Sequence, residues 1–409
     1  MMKRKLSLLA GLLLVGSLTS CQQSNSIEKS KSTTPATIDA PMASESTPPS
    51  ATSANTTSTS ENVPQETNAS FKWIYYKQNN DNHLMQLNLE TGEKKEVLKN
   101  VQDFYMFKDK LFFDTPIDWE KPNGESPNSF ISSLYVANLD GSNAQLIAGK
   151  DKPVMPIEKL EPNEYIAYSP LKVEDNWLYF GVQYGAEDFE CVFYMYRYHL
   201  NDETIEVLSE PYMSFDQCYI GHDKIIFNNK SLHYSLGDMV IIDLTTKEEK
   251  VLCKDSSFLG TYNDKLYYFA VEPTLSSVSY EMGLYELDPV NGETTLLTSG
   301  IQWESYSSQS LLNEGIAYCV TLSADSDTAV VHTFNLATKE ESEVTMNKEK
   351  VQQEILNVTT VHSGENTYEL ISVDNIPYVK DVYQLQEDGS KSQLLSNVRY
   401  TLQWVADAK

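Results

Sequence analysis

An all-β fold is what the sequence predicts: a β-propeller of seven four-stranded blades, closed by the C-terminal strand. Three observations lead there. One motif returns seven times after residue 70, its spacing suits a four-stranded sheet, and the two ends of the repeat region each lack what the other supplies.

The motif is an apolar strand, a tight turn, a Leu-x-x-Leu-(Asp/Asn)-x-x-(Thr/Asp)-Gly-like stretch and a charged strand. The first copy pairs Trp73-Ile74-Tyr75-Tyr76 with a run from Leu84 through Asn88, Thr91 and Gly92. The second has Lys110-Leu111-Phe112-Phe113, then Leu134 to Gly141. The third has Trp177-Leu178-Tyr179-Phe180 and a segment from Tyr196 to Glu203. The fourth has Lys224-Ile225-Ile226-Phe227, then Val240 to Lys247. The fifth has Asp264 to Tyr268, then Leu284-Tyr285-Glu286-Leu287-Asp288 through Gly292. The sixth has Gly315-Ile316-Ala317-Tyr318 and His332 to Lys339. The seventh has Tyr368-Glu369-Leu370-Ile371 and Val382 to Gly389. Spacing runs from roughly 37 to 67 residues, the short end fitting four strands and the excess being loop insertion. Units three and six are degenerate, so counts of six or eight stay open.

Tyr, Phe, Val, Ile and Thr dominate the units, as pleated and packed surfaces favour. The last strand of several units is charged, as in Glu93-Lys94-Lys95-Glu96 and Lys247-Glu248-Glu249-Lys250. Charge on an outer rim strand discourages pairing with another edge. The first unit begins at its second strand, near Phe71. The chain ends on a surplus strand, residues 398–405, in which Val398, Tyr400, Leu402 and Trp404 alternate with less apolar neighbours. The expectation is that this strand completes the first blade.

The N-terminus has its own logic. Lys3-Arg4-Lys5 precedes a short apolar stretch from Leu6 to Val15, too short to span a bilayer comfortably, and then Leu18-Thr19-Ser20-Cys21. This resembles a bacterial lipoprotein signal, which implies removal of residues 1–20, lipid on Cys21 and a membrane-anchored chain facing outside the cytoplasm. Residues 21–70 then form a Ser/Thr/Pro-rich tether with too little apolar surface to fold. As a flexible coil it would average roughly 40 Å end to end. Residues 71–409 are the propeller domain.

The chain carries 31 basic and 58 acidic residues, a net charge of −27. Loss of Lys3, Arg4 and Lys5 with the leader moves this to about −30. Arginine occurs three times, at Arg4, Arg197 and Arg399. Nucleic acid is thus excluded as a partner, because its phosphates call for many Lys and Arg contacts. Of the cysteines, Cys21 is assigned to lipid, leaving Cys191, Cys218, Cys253 and Cys319. Cys218 and Cys253 bracket one blade about three strand spacings apart, about 14 Å, beyond disulfide reach. Cys319 sits in an apolar strand and reads as a buried thiol.

The chemical motifs are mostly negative. There is no Gly-x-Ser-x-Gly, no His-Glu-x-x-His, no Cys-x-x-Cys and no glycine-rich phosphate loop, so no metal and no cofactor are expected. Asp325-Ser326-Asp327 and Asn79 to Asn82 read as turns rather than calcium loops, since both lack a full ligand set. The sequence singles out no member of a glycosidase-like carboxylate pair.

A family resemblance rests on Val136 to Ile147 and on the Leu-Tyr-Tyr and Ile-Tyr-Tyr pieces at 266–268 and 74–76. These resemble the strand-turn-strand of low-density-lipoprotein-receptor-type propellers, without their Trp and Asp. Over residues 71–405 the chain looks most like uncharacterised bacterial lipoprotein propellers of that type, a resemblance that implies a fold and no reaction. Outer-membrane assembly-scaffold propellers share the Thr-Gly-Glu turn at 91–93, but their following Trp is missing here.

Propeller ligands usually sit at the channel mouth carrying the longest loops. Those are expected at residues 114–130, 149–163 and the connection from the fifth to the sixth unit. Trp119, Trp303 and Tyr306 are therefore the ligand-binding candidates, as aromatics in polar loops. Taken together, the expectation is a non-catalytic binding or scaffold module for a protein, peptide or glycan, and not an enzyme. The alternative is a propeller hydrolase or lyase acting on envelope or environmental glycans.

Overall fold

The computed structural model describes residues 71–78, 82–116, 130–155, 164–186, 192–209, 211–212, 218–229, 236–271, 279–304, 308–323, 326–373 and 376–406. All belong to one compact unit, Val63–Lys409. The expected leader, Cys21 and the tether lie outside the described residues.

The chain folds as antiparallel meanders gathered into four sheets of seven, eight, seven and four strands, with one parallel pairing, of Phe130–Asn138 beside Glu164–Glu174, in the eight-stranded sheet. It is a β-propeller, nearly all strand, with each unit built from consecutive hairpins. The repeated motif has a local cause. Asn88, Asp243, Asp288 and Asn335 each end a strand, and each Oδ1 accepts from two backbone N–H groups just downstream, at 2.8–3.4 Å. Four residues on, Gly92, Lys247, Gly292 and Lys339 take φ of 61–75° and donate back to the carbonyl of that Asn or Asp. The (Asp/Asn)-x-x-x-Gly signature is thus the sequence of one turn, repeated.

Alternation along each strand places apolar side chains on both sheet faces. Ile74 and Tyr76 pack with Leu370, Val382, Leu395 and Val398, whereas Tyr75 between them packs with Phe104, Leu111 and Phe113. The core is therefore a series of clusters between successive units rather than one central mass. Each buried Phe or Leu contributes about 1.5–3 kcal/mol.

Two long strands pass from one unit to the next. Lys391–Ala406 pairs first with Ile376–Leu385 and then with Phe71–Gln78, setting Tyr76 against Leu402 and Gln78 against Val398. Glu249–Tyr262 likewise joins Gly237–Asp243 to Lys265–Val271. Positive φ at Asp255, Gly300 and Asn397 marks irregular points within Glu249–Tyr262, Thr294–Glu304 and Lys391–Ala406. Charged outer strands such as Lys94–Leu98 and Glu341–Asn347 are largely exposed, as a rim requires. One feature was not read from sequence. A short α-helix, Lys348–Val351, runs into a π-helix, Gln352–Leu356, capped by Asn347 and seated by the buried Val351 against Val320, Ala329 and Val331.

Candidate active site

The second strands of the first two units begin alike, with Ile74-Tyr75-Tyr76 and Leu111-Phe112-Phe113, and each apolar triplet is followed by a charge, Lys77 or Asp114. Both charged side chains are buried, at 1% and 0% exposure. The sequence places Asp114 at the start of a long loop; in the structure it lies inside the strand Lys110–Pro116. Directly opposite it, on Asp103–Phe107, stands Asp103. Facing residues in an antiparallel pair share one side of the sheet, with Cβ atoms roughly 4.5–5.5 Å apart, so the two carboxylates are neighbours.

The surroundings fix both acids. Asp103 Oδ1 accepts from the Phe104 N–H at 2.9 Å. Asp114 Oδ2 accepts weakly from the Tyr168 N–H at 3.4 Å. Lys77 Nζ donates to the Gln102 carbonyl oxygen, one residue from Asp103. Gln403 of the terminal strand braces the Asp103 strand, its Oε1 accepting from the Met106 N–H at 2.6 Å. Through that strand Arg399 reaches the field of Lys77.

Burial dominates the electrostatics. It pushes Asp114 up to about 8; the Ser132 hydroxyl opposes the shift and the negative Asp103 adds to it. Asp103 is raised to about 6 by burial, against the Phe104 N–H and Lys77. Lys77 is lowered to about 8 by burial and then by Arg399. Near neutral pH the site thus holds a protonated acid, an ionised carboxylate and two cations, one positive charge in excess. Several polar atoms here lack a hydrogen-bond partner of ordinary geometry among the described residues: Asp114 Oδ1, Ser132 Oγ, the Tyr168 hydroxyl and Arg399 Nε. Such atoms are costly to bury, and their concentration at one place marks a site built for something other than stability. Chemically, the arrangement can donate a proton, accept one and stabilise an anion.

The residues named from sequence fall elsewhere. Trp303 is not a loop aromatic: it lies on Thr294–Glu304, 1% exposed, packed with Leu259, Tyr267, Ile301 and Cys319. That strand runs further than expected, and burial leaves the ring no face for a ligand. Trp119, Tyr306 and Cys21 lie outside the described residues. Cys319 is a buried residue, its thiol pushed up to about 12 by burial. No group of three or more His, Cys, Asp or Glu arranged to hold a metal occurs among the described residues.

No family model matches the chain, and no curated protein does. Similar solved structures include an oligogalacturonate lyase in complex with manganese, 12% identical, covering 77% of this chain and 91% of that one, TM-score 0.44. A prolyl endopeptidase is 12% identical, covering 85% of this chain and 50% of that one, TM-score 0.46. This chain spans half the length of that peptidase. The β-propeller domain of the trilobed protease from Pyrococcus furiosus is 10% identical, covering 72% and 82%, TM-score 0.39. The likeness is one of fold. The expectation of a non-catalytic module is nevertheless corrected: enzymes are among these similar structures, and the chain brings together Asp103, Asp114 and Lys77, groups able to exchange protons.

Proposed function

We propose that the chain is an acid–base enzyme that cleaves acidic glycans by β-elimination. The observation that carries this reading is the juxtaposition of two carboxylates, both raised by burial, with Lys77 and Arg399. In such a cleavage the cations neutralise the sugar carboxylate, which acidifies the hydrogen on the adjoining carbon. Asp103, ionised above about 6, removes that proton. The electron pair forms the new carbon–carbon double bond as the glycosidic C–O bond breaks. Asp114, protonated up to about 8, delivers its proton to the departing oxygen. No water is consumed.

Electrostatics favours elimination over hydrolysis. Glycosidases pass through an oxocarbenium-like, positively charged transition state, which two adjacent cations would raise in energy. Elimination develops negative charge, which the same cations stabilise. An inverting hydrolase also needs its carboxyl groups roughly 6.5–9.5 Å apart to admit water, and facing strand residues support a closer approach.

Incubating the purified chain with oligouronides should generate ultraviolet-absorbing unsaturated products whose masses add up to the substrate without water. Asp103→Asn and Asp114→Asn should each lower kcat by about 10²–10⁴-fold. Incorporation of labelled solvent oxygen, or no turnover across acidic glycans, would remove this reading.

The four-stranded groups are taken as seven blades in a ring closed by Lys391–Ala406, a reading supported by that strand's pairing with both the last and the first units. The relationship to low-density-lipoprotein-receptor-type propellers is likewise proposed on the residues that resemble them. The enzyme is proposed to be exported and lipid-anchored through Cys21, with residues 22–70 as its tether, where envelope or environmental glycans are within reach. Cys21→Ala should release it into the soluble fraction; retention on membranes after normal processing would rule the anchor out.

A further inference from the structure

We infer a second binding site, for a neutral oligosaccharide, in the cleft between the second and third units. It opens at the far end of the hairpin that carries the acids. Phe107 lies about 13 Å from Asp103 along one strand, while the lining Phe112 lies about 6.6 Å from Asp114 along the next, so the cleft adjoins the acid pair without including either acid.

The cleft encloses about 570 Å³, within the range of roughly 300–1,000 Å³ usual for small-molecule sites. Phe107, Phe112, Val136 and Tyr198 supply apolar wall. Four side-chain amides, Asn143, Gln145, Asn176 and Asn201, line it and make no hydrogen bond to a described residue. The ionised lining groups cancel: Lys108 and Lys110 against Asp109 and Glu203. They are also engaged locally, Lys110 with Asp109 at 3.8 Å and Glu203 with Lys152 at 3.7 Å.

These features select a ligand class. An amide offers a donor and an acceptor side by side, which suits the vicinal hydroxyls of a sugar. Aromatic and aliphatic wall suits its C–H faces. Balanced charge in the cleft gives no advantage to an anion. The cleft therefore takes neutral saccharide, in contrast to the acid site with its excess cation. On the proposed enzyme it would hold a glycan at a distance from the reacting linkage, although the binding itself does not depend on that activity.

The test is calorimetric titration of the purified full chain with neutral hexasaccharides of glucose, N-acetylglucosamine and mannose, and with an acidic hexagalacturonide. At least one neutral oligomer should bind, and a variant combining Gln145→Ala, Asn176→Gly and Asn201→Ala should bind it about tenfold or more weakly. Glycine is chosen at Asn176 because that residue holds φ of 66°, which glycine adopts without strain. An unchanged melting temperature would show the triple variant folded, and Asp114→Asn should bind the neutral oligomer as the wild type does. Failure of every neutral oligomer, binding of the acidic one alone, or full affinity in the folded triple variant would each overturn the inference. Loss of elimination activity with neutral binding intact would strike only the proposed reaction.

Discussion

Asp114 in the second unit and Asn228 in the fourth occupy the same place, one residue past an apolar triplet on the second strand, and both are buried. They are treated oppositely. Asn228 Nδ2 donates to the Gly237 carbonyl at 3.2 Å, to the Ser256 carbonyl at 3.1 Å and to Ser256 Oγ at 3.1 Å. Asp114 has one long backbone contact, the Ser132 hydroxyl nearby, and a carboxylate oxygen with no partner of ordinary geometry among the described residues. A propeller can evidently satisfy a buried polar group at this position. Leaving Asp114 less fully paired than Asn228, beside a second acid, costs stability that a purely structural residue would not.

The largest effect should come from making the two places alike. Asp114→Asn removes the proton donor and also the buried acid. Its kcat should fall by about 10²–10⁴-fold while its melting temperature holds or rises. A coupled loss of both activity and stability would mean that Asp114 serves the fold.

Next in size is the pH dependence of stability. Asp114 is raised from 3.8 to about 8, so between those values the folded chain holds a proton that the unfolded chain has released. Stability from this group is complete below about 4 and is lost as pH rises towards 8, by about 1.4 kcal/mol per pH unit at most. Asp103 adds in the same direction up to about 6. Lys77, lowered from 10.5 to about 8, acts on the other side: its penalty is present below 8 and relieved as pH climbs towards 10.5. The difference in unfolding free energy between wild type and Asp114→Asn should therefore shift in the variant's favour from pH 4 to 8. A difference that is flat across this window would refute the raised Asp114.

The comparison also shows what could be read from sequence. The fold was legible because its turn is chemically explicit: Asn88, Asp243, Asp288 and Asn335 must be short, polar and followed by a residue that tolerates positive φ. The strand after Val398 was legible as the partner of Trp73 to Tyr76 because alternation and a missing neighbour matched. The site was less so. A charge directly after an apolar triplet, at Lys77 and Asp114, is the local signal of the site. That Asp103 faces Asp114 follows from hairpin register, and that Arg399 approaches Lys77 follows from a strand more than 300 residues away in sequence. Neither is encoded locally. Trp303 misled for a related reason: in a polar stretch its neighbours look like loop, but alternate residues of an extended strand can be polar outside and aromatic inside.

The smallest effect tests the satisfied half of the comparison. Asn228→Ala deletes an amide that donates to two carbonyls and a hydroxyl. The Gly237 carbonyl keeps the Ser256 hydroxyl as a donor at 2.9 Å. The Ser256 carbonyl loses its Asn228 donor in a place where Ser256 itself is fully buried. One buried acceptor stripped of that donor costs about 1–3 kcal/mol, and the small cavity left by the side chain adds to it. Chemical denaturation should show that loss in the midpoint with an unchanged slope, and turnover should stay at the wild-type level because Asn228 bonds only to Gly237 and Ser256 and to none of the acid-site groups. If Asn228→Ala lowered turnover without destabilising the chain, the division between a structural polar position and a reactive one would be wrong, and the two buried polar positions would have to be explained together.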